Sequence, residues 1–370
     1  MVTANRTLRR SFLQTSAAMS LAAALQGRRA FAKDVTIGFL YVGARDDFGF
    51  NSSHAQAAAA LKRLPGVRVV EEENVPETMA VVKAMESMIT LDGARLLFPT
   101  SYGYYDPHVL KEAAKHPEVR FQHCGGLWTD KHPRNAGSFF AYIDECEYLA
   151  GIAAGHASKT GKLGFVGAKP IPTVLRDINA FTLGARLVNP KITTQVAFTG
   201  DWSMPVKEAE AAHALLDQGV DVITGHVDSP KVIIETAARR GQMAIGYHSN
   251  QSALAQEAYL TGAEWSWGTF YQRFVADFIA GRKIPNLVRG GLKDGMVKLS
   301  PFGPKVNEAA RRHVTEVKAK MQSTSFAIFK GPLKDNRGRM ALPSGTEQLQ
   351  TDPKLEGMDY LVEGVLGSTS

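Results

Sequence analysis

Cysteine is almost missing from this chain: Cys124 and Cys146 are the only two in 370 residues. That is too few for a scaffold built on disulfides. Long apolar runs are missing too. A membrane-spanning helix takes about 20 consecutive apolar residues, and no segment comes near that length. There is no low-complexity stretch and no short repeat. With 44% apolar, 21% charged and 9% aromatic residues, the composition excludes a disordered or fibrous chain. Catalytic and phosphate-binding signatures are lacking as well, since there is no P-loop and no Gly-x-Ser-x-Gly elbow. Gly161, Gly164 and Gly167, spaced G-x-x-G-x-x-G, precede and occupy a strand instead of following one, so they are no dinucleotide fingerprint. The net charge of +7 hints at nucleic acid until it is located. Residues 1–32 hold Arg6, Arg9, Arg10, Arg28 and Arg29 and no acidic residue. Removing those five from the 43 basic residues leaves 38 against 36 acidic, or +2. Nucleic acid is therefore not an expected partner.

What is present begins with that leader. Arg9-Arg10-Ser11-Phe12-Leu13 is followed by a short apolar run of small residues and by Ala30-Phe31-Ala32. Basic region, apolar region and small-residue cleavage site in that order read as an export signal. The arginine pair followed by Phe-Leu resembles a twin-arginine signal, with an ordinary secretory signal as the alternative. No cysteine lies at the cleavage site, so a lipid anchor is not expected. The mature chain is expected to be soluble and periplasmic from about Lys33. An oxidising compartment permits a Cys124–Cys146 bridge, and two buried free thiols are the other reading.

Strands are expected at 35–41, 67–71, 95–99, 120–123 and 138–143. Helices are expected from a Ser53–Gln56 capping box to 64, then at 78–91 and 108–115. The alternation restarts with helices at 147–159, 178–188, 207–218 and 231–239 and strands at 162–166, 194–198, 220–225 and 243–246. An aromatic helix at 267–279, a strand near 295–299 and a helix at 305–321 follow. The fold class is α/β, with two doubly wound parallel-sheet lobes joined by a hinge. Lobe 1 is expected to comprise 33–143 and about 252–285, and lobe 2 144–251 and about 286–330. A tail over 331–370 is expected to wrap the surface. Two such lobes in an exported chain suggest a periplasmic binding protein that closes on a ligand.

In open α/β sheets, ligands sit beyond the carboxyl ends of the strands. The loops there read DDFGFN (46–51), TSYGYYD (100–106), GAKPIPTV (167–174), TGDWSMP (199–205), GHVDSP (225–230), GYHSNQ (246–251) and WSWG (265–268). They combine aromatic rings with a few carboxylates and amides and little Lys or Arg. That suits a flat, polar-edged ring, because aromatic faces stack on one for about 1–3 kcal/mol each. A phosphate or carboxylate ligand would call for cations.

Asp47-Phe48-Gly49-Phe50-Asn51 resembles the D-x-x-F-N signature of the basic membrane protein family, type 1 substrate-binding proteins of ABC transporters. EYLAGIAAG (147–155), KTGKLGFVG (159–167) and GVDVI (219–223) are similar to that family in the same order, across nearly all of the mature chain. Segments 225–230, 246–251 and 265–268 resemble a branch associated with free adenine. The resemblance implies a receptor, not an enzyme, that delivers a purine to an inner-membrane permease. Nucleoside-binding relatives carry two aspartates where this chain has His248 and Asn250, and a lysine where it reads Trp265-Ser266-Trp267. Those groups hold ribose, so their absence favours a bare base. Met204 stands where the adenine branch usually has an acidic residue.

The expected ligand-binding residues are Phe50, Asn51, Tyr102, Trp202, Asp228, His248 and Trp267. Each has a plainer alternative. Asp228 could cap the helix after Pro230, Asn51 could cap its own helix, and the tryptophans could be core. His226, Asp228 and His248 lack a fixed metal-ligand spacing, so neither metal nor cofactor is expected. A monomer is expected. The competing functions are a secreted purine hydrolase with Asp228 as general base and a ligand sensor for a membrane signalling protein.

Overall fold

The computed structural model describes residues 34–369. The export leader expected over 1–32 lies outside them. Two mostly parallel sheets form the frame. The first contains β1 (Val35–Leu40), β2 (Val67–Glu72), β3 (Ala94–Pro99), β4 (Arg120–Cys124), β5 (Ala136–Ala141) and β11 (Leu287–Gly290), in the order 2-1-3-4-5-11. The second contains β6 (Lys162–Gly167), β7 (Thr193–Phe198), β8 (Val222–His226), β9 (Met243–His248), β10 (Tyr259–Trp265), β12 (Val297–Leu299) and β17 (Val365–Leu366), in the order 12-10-9-8-6-7-17. Only β12 runs antiparallel, against β10. Each sheet thus repeats the doubly wound 2-1-3-4-5 arrangement, whose switch point faces a ligand crevice.

Helices α1 (Phe50–Leu61), α2 (Met79–Thr90) and α3 (Leu110–Lys115) serve the first sheet. Helices α4 (Asp144–Ala157), α5 (Pro172–Val188), α6 (Pro205–Asp217) and α7 (Lys231–Arg239) serve the second. Helix α8 (Trp267–Ile279) returns to the first lobe. There its Tyr271 packs edge-on against Phe39 and Phe98, with ring centroids 5.1 and 4.6 Å apart. Its hydroxyl is 2.7 Å from His54 Nδ1. Helix α9 is Glu308–Ser323. Among the described residues, no helix is long and apolar enough to cross a membrane.

Several boundaries differ from the sequence reading. Residues 259–265 form a strand of the second sheet, not part of lobe 1, and 287–290 form a strand of the first sheet, not part of lobe 2. The chain therefore crosses between lobes near 143, 266 and 291. The tail is more than a surface wrap, and two short antiparallel pairs lead into it, β13 (Phe329–Lys330) with β16 (Glu347–Gln348) and β14 (Leu333–Lys334) with β15 (Met340–Leu342). Strand β17 extends the second sheet beside β7, and Leu355, Met358, Leu361, Val362 and Val365 are buried. Helix α1 starts at Phe50, not Ser53. The Asp47 carboxylate accepts from the backbone N–H of Gly49, Asn51 and Ser52, satisfying donors that a helix start leaves open.

The disulfide expectation is corrected. Cys124 ends β4 and Cys146 sits in α4, and both are buried free thiols. Burial pushes both thiols up from their ordinary values, which leaves them largely unreactive.

Candidate functional site

The strand ends of both sheets meet in a cleft with about 440 Å³ of unfilled space, part of it open to solvent. The first lobe contributes Phe50, Thr100, Ser101, Tyr102, Cys124, Gly125 and Phe140. The second contributes Thr173, Trp202, His226, Asp228, His248 and Trp265.

The lobes touch at this cleft. Phe50 N–H donates to the carbonyl of Asp228 at 2.8 Å. The Phe48 carbonyl accepts from Ser249 Oγ at 2.8 Å and from Gln251 Nε2. Gly49 is required here, because a Cβ on it would lie 1.8 Å from the Asp228 carbonyl oxygen. Lys169 bridges the gap from the second lobe. Its Nζ is 2.8 Å from Asp201, 4.0 Å from Glu77 and 5.1 Å from the centre of the Trp202 ring.

Asp228 is 7% exposed. Burial, then the charges of Asp47 and Glu77, push its carboxyl up to about 8, against a hydrogen bond from Asn51. It does not cap the helix that follows, since α7 has no side-chain cap. Asn51 is fully buried. Its Oδ1 accepts from Gly43 N–H, and its Nδ2 donates to Asp47. It supports Asp228 from behind and does not line the cleft. Tyr102 is half exposed at the mouth.

His248 lines the cleft with both nitrogens occupied. The Trp265 indole N–H donates to its Nδ1 at 2.8 Å. Its Nε2 must therefore carry the proton, which it donates to the Val227 carbonyl at 2.9 Å. Burial, then His226, holds its pKa far below the usual imidazole value. Trp267 does not reach the cleft. It is 1% exposed, stacked behind Trp265 at 4.8 Å and 15° and against His54 at 5.3 Å and 9°. Trp265 is the wall residue. It ends a strand while Trp267 opens a helix, and this change of period sends the second ring into the core.

Sequence reasoning weighed His226 only as a metal ligand and did not single out Phe140 or Thr100–Ser101 as cleft residues. His226 stood in a quoted strand-end loop, which was the available signal. His226 Nδ1 lies 2.7 Å from Asp177 Oδ2. A wider chamber adjoins the cleft past Tyr102, Gly125, Phe140 and Thr173. Its cation, Arg176, is spent on Asp144 at 2.9 Å and on Gln350, so it offers no free charge to an anion. Among the described residues, no group of three or more His, Cys, Asp or Glu could hold a metal ion.

Comparison with known proteins agrees with this architecture. A family model described as ABC transporter substrate-binding protein, PnrA-like, matches residues 34–329. A purine-binding protein of Brucella abortus is 35% identical over 349 residues, covering 94% of this chain and 97% of the relative. A putative ABC transporter glucose-binding protein of Haloferax volcanii is 30% identical over 80% of this chain and 74% of its own. Among solved structures, an ABC transporter solute-binding protein from Aeropyrum pernix superposes with a TM-score of 0.68. It is 21% identical and covers 81% of this chain and 93% of that one.

Proposed function

Because the chain belongs to the PnrA-like family of ABC transporter substrate-binding proteins, we propose that it binds a purine base, adenine before others, between its lobes. It hands that base to an inner-membrane permease, acting as a soluble periplasmic monomer and not as an enzyme. The observation that carries this reading is the wall of Phe50, Trp202, His248 and Trp265 around one buried carboxyl, Asp228. Flat rings accept a flat heterocycle, and the carboxylate accepts from its N–H groups. The purine-binding Brucella relative supports the same ligand class.

A bare base is favoured over a nucleoside. His248 has no free nitrogen for a ribose hydroxyl, and Trp265 supplies a ring where a cation would be needed. Titration calorimetry with adenine, guanine, hypoxanthine, their nucleosides and glucose tests this. Adenine is expected to bind most tightly, and at least tenfold more tightly than adenosine. Tighter adenosine binding would reverse the base assignment, and glucose binding without purine binding would replace it. The ligand is expected back unchanged after incubation, whereas a hydrolase using Asp228 as general base would return product.

Export by the twin-arginine route belongs to the same proposal. Replacing Arg9 and Arg10 by Lys is expected to leave precursor in the cytoplasm. Normal periplasmic accumulation of that variant would reject the route.

A further inference from the structure

His226 differs from the other imidazole of the cleft. His248 spends both nitrogens on the protein, but His226 spends only Nδ1. That atom lies 2.7 Å from Asp177 Oδ2. The Tyr247 hydroxyl donates its proton to the same oxygen at 2.6 Å and sits 3.0 Å from Nδ1. Asp177 and Tyr247 are buried at 1% and 0% exposure. Burial, then Asp177, pushes the Tyr247 phenol far above its ordinary value, so it keeps its proton. A hydroxyl has one proton to give, and Tyr247 gives it to Asp177. The other contact to Oδ2 must then be filled by His226 Nδ1–H. With a proton fixed on Nδ1, the neutral form of the ring has its lone pair at Nε2. No described residue engages that nitrogen, and the ring lines the cleft two residues from Asp228.

We infer that His226 Nε2 is a second acceptor for the ligand, set by Asp177 and Tyr247, so that the site selects heterocycles offering two N–H donors. One donor goes to Asp228 and the other to His226. This rests on the purine reading above and adds to it the group that separates amino-purines from oxo-purines. Adenine's exocyclic amine donates, whereas hypoxanthine's carbonyl at the same place accepts and would set two lone pairs against each other.

Asp177→Ala tests the inference by reversing the acceptor without touching the cleft wall. With the carboxylate gone, the Tyr247 hydroxyl turns its proton to His226 Nδ1, 3.0 Å away. The imidazole proton moves to Nε2, which becomes a donor. The ratio of adenine to hypoxanthine affinity is expected to fall by about tenfold or more, roughly one hydrogen bond lost and one clash gained. The melting transition confirms that the variant is folded. Nitrogen-15 NMR of the wild-type imidazole gives a second readout that needs no variant. Protonation at Nδ1 before ligand and a shift of Nε2 on adding adenine are expected. A folded Asp177→Ala variant with an unchanged ratio, or a wild-type Nε2 resonance that ignores bound adenine, overturns the role of His226 and leaves the purine reading standing. A wild-type protein that binds no purine overturns both.

Discussion

Asp228→Ala is expected to lower adenine affinity by about a hundredfold, while Glu308→Ala, at a side chain 81% exposed, leaves it unchanged. The difference is solvation. Hydrogen bonds to a charged group in a dry site are worth about 1.5–3 kcal/mol, and a ligand donor left unpaired there adds its own penalty. The carboxyl also makes binding pH-dependent. Without ligand it titrates near 8, so at pH 7 most molecules carry it protonated. Accepting an N–H bond from the ligand favours the ionised form, which is acceptor-only. Binding near neutrality is then expected to release up to about one proton, read as a dependence of calorimetric enthalpy on buffer. Affinity is expected to rise with pH and level off above about 8. The sign for stability is opposite. The folded carboxyl sits above its unfolded value near 4, so the unfolded state binds fewer protons between the two values. From this group, the ligand-free fold is favoured at low pH and loses stability as pH rises from about 4 through 8. Asp228→Asn should remove both dependences. A variant that binds adenine as wild type does would remove Asp228 from the site.

Gly49→Ala is the second large effect. The added methyl would fall 1.8 Å from the Asp228 carbonyl, a distance no relaxation of a side chain relieves, because the obstacle is backbone. The Phe50–Asp228 bond between the lobes would break, and the closed arrangement would become a minor state. Apparent affinity falls in proportion to the fraction of molecules able to close, so a loss of about a hundredfold or more is expected. The radius of gyration by X-ray scattering should then fail to shrink on addition of ligand. Gly268→Ala is the control, since nothing lies within 4 Å of its added Cβ. A Gly49→Ala protein that binds and compacts normally would show that the close approach is not needed for binding.

The alternation of short apolar strands with amphipathic helices made the two-lobed α/β architecture legible, because each period is set by local geometry. Strand β10 escaped notice because Thr261, Gly262 and Glu264 interrupt its apolar pattern. The interruption is tolerated through Ser300 and Lys298, which satisfy Glu264 from residues more than 30 positions away. Strand β11 is four residues long and has no period to read. The site was legible at the level of strand-end loops, where Phe50, Tyr102, Trp202, Asp228 and His248 all fall around one cleft. It was not legible at the level of facing. Whether Trp265 or Trp267 forms the wall depends on where β10 stops and α8 starts, and whether Asn51 meets ligand or Asp47 depends on a helix start set by a side chain four residues earlier. His226 could be singled out only once Asp177 and Tyr247, 49 residues before it and 21 after it, were seen to fix its proton.

The stack of His248, Trp265, Trp267 and His54 has an optical consequence. Two indoles 4.8 Å apart and 15° from parallel have near-ultraviolet transitions close enough to mix, so they should give an exciton couplet in circular dichroism instead of two independent bands. One indole of the pair borders the cleft and the other is sealed in the core. A heterocycle laid against Trp265 would perturb one half of the couplet and leave its reference half in place. The protein thus carries an internal, label-free chromophore pair that registers occupancy of the cleft.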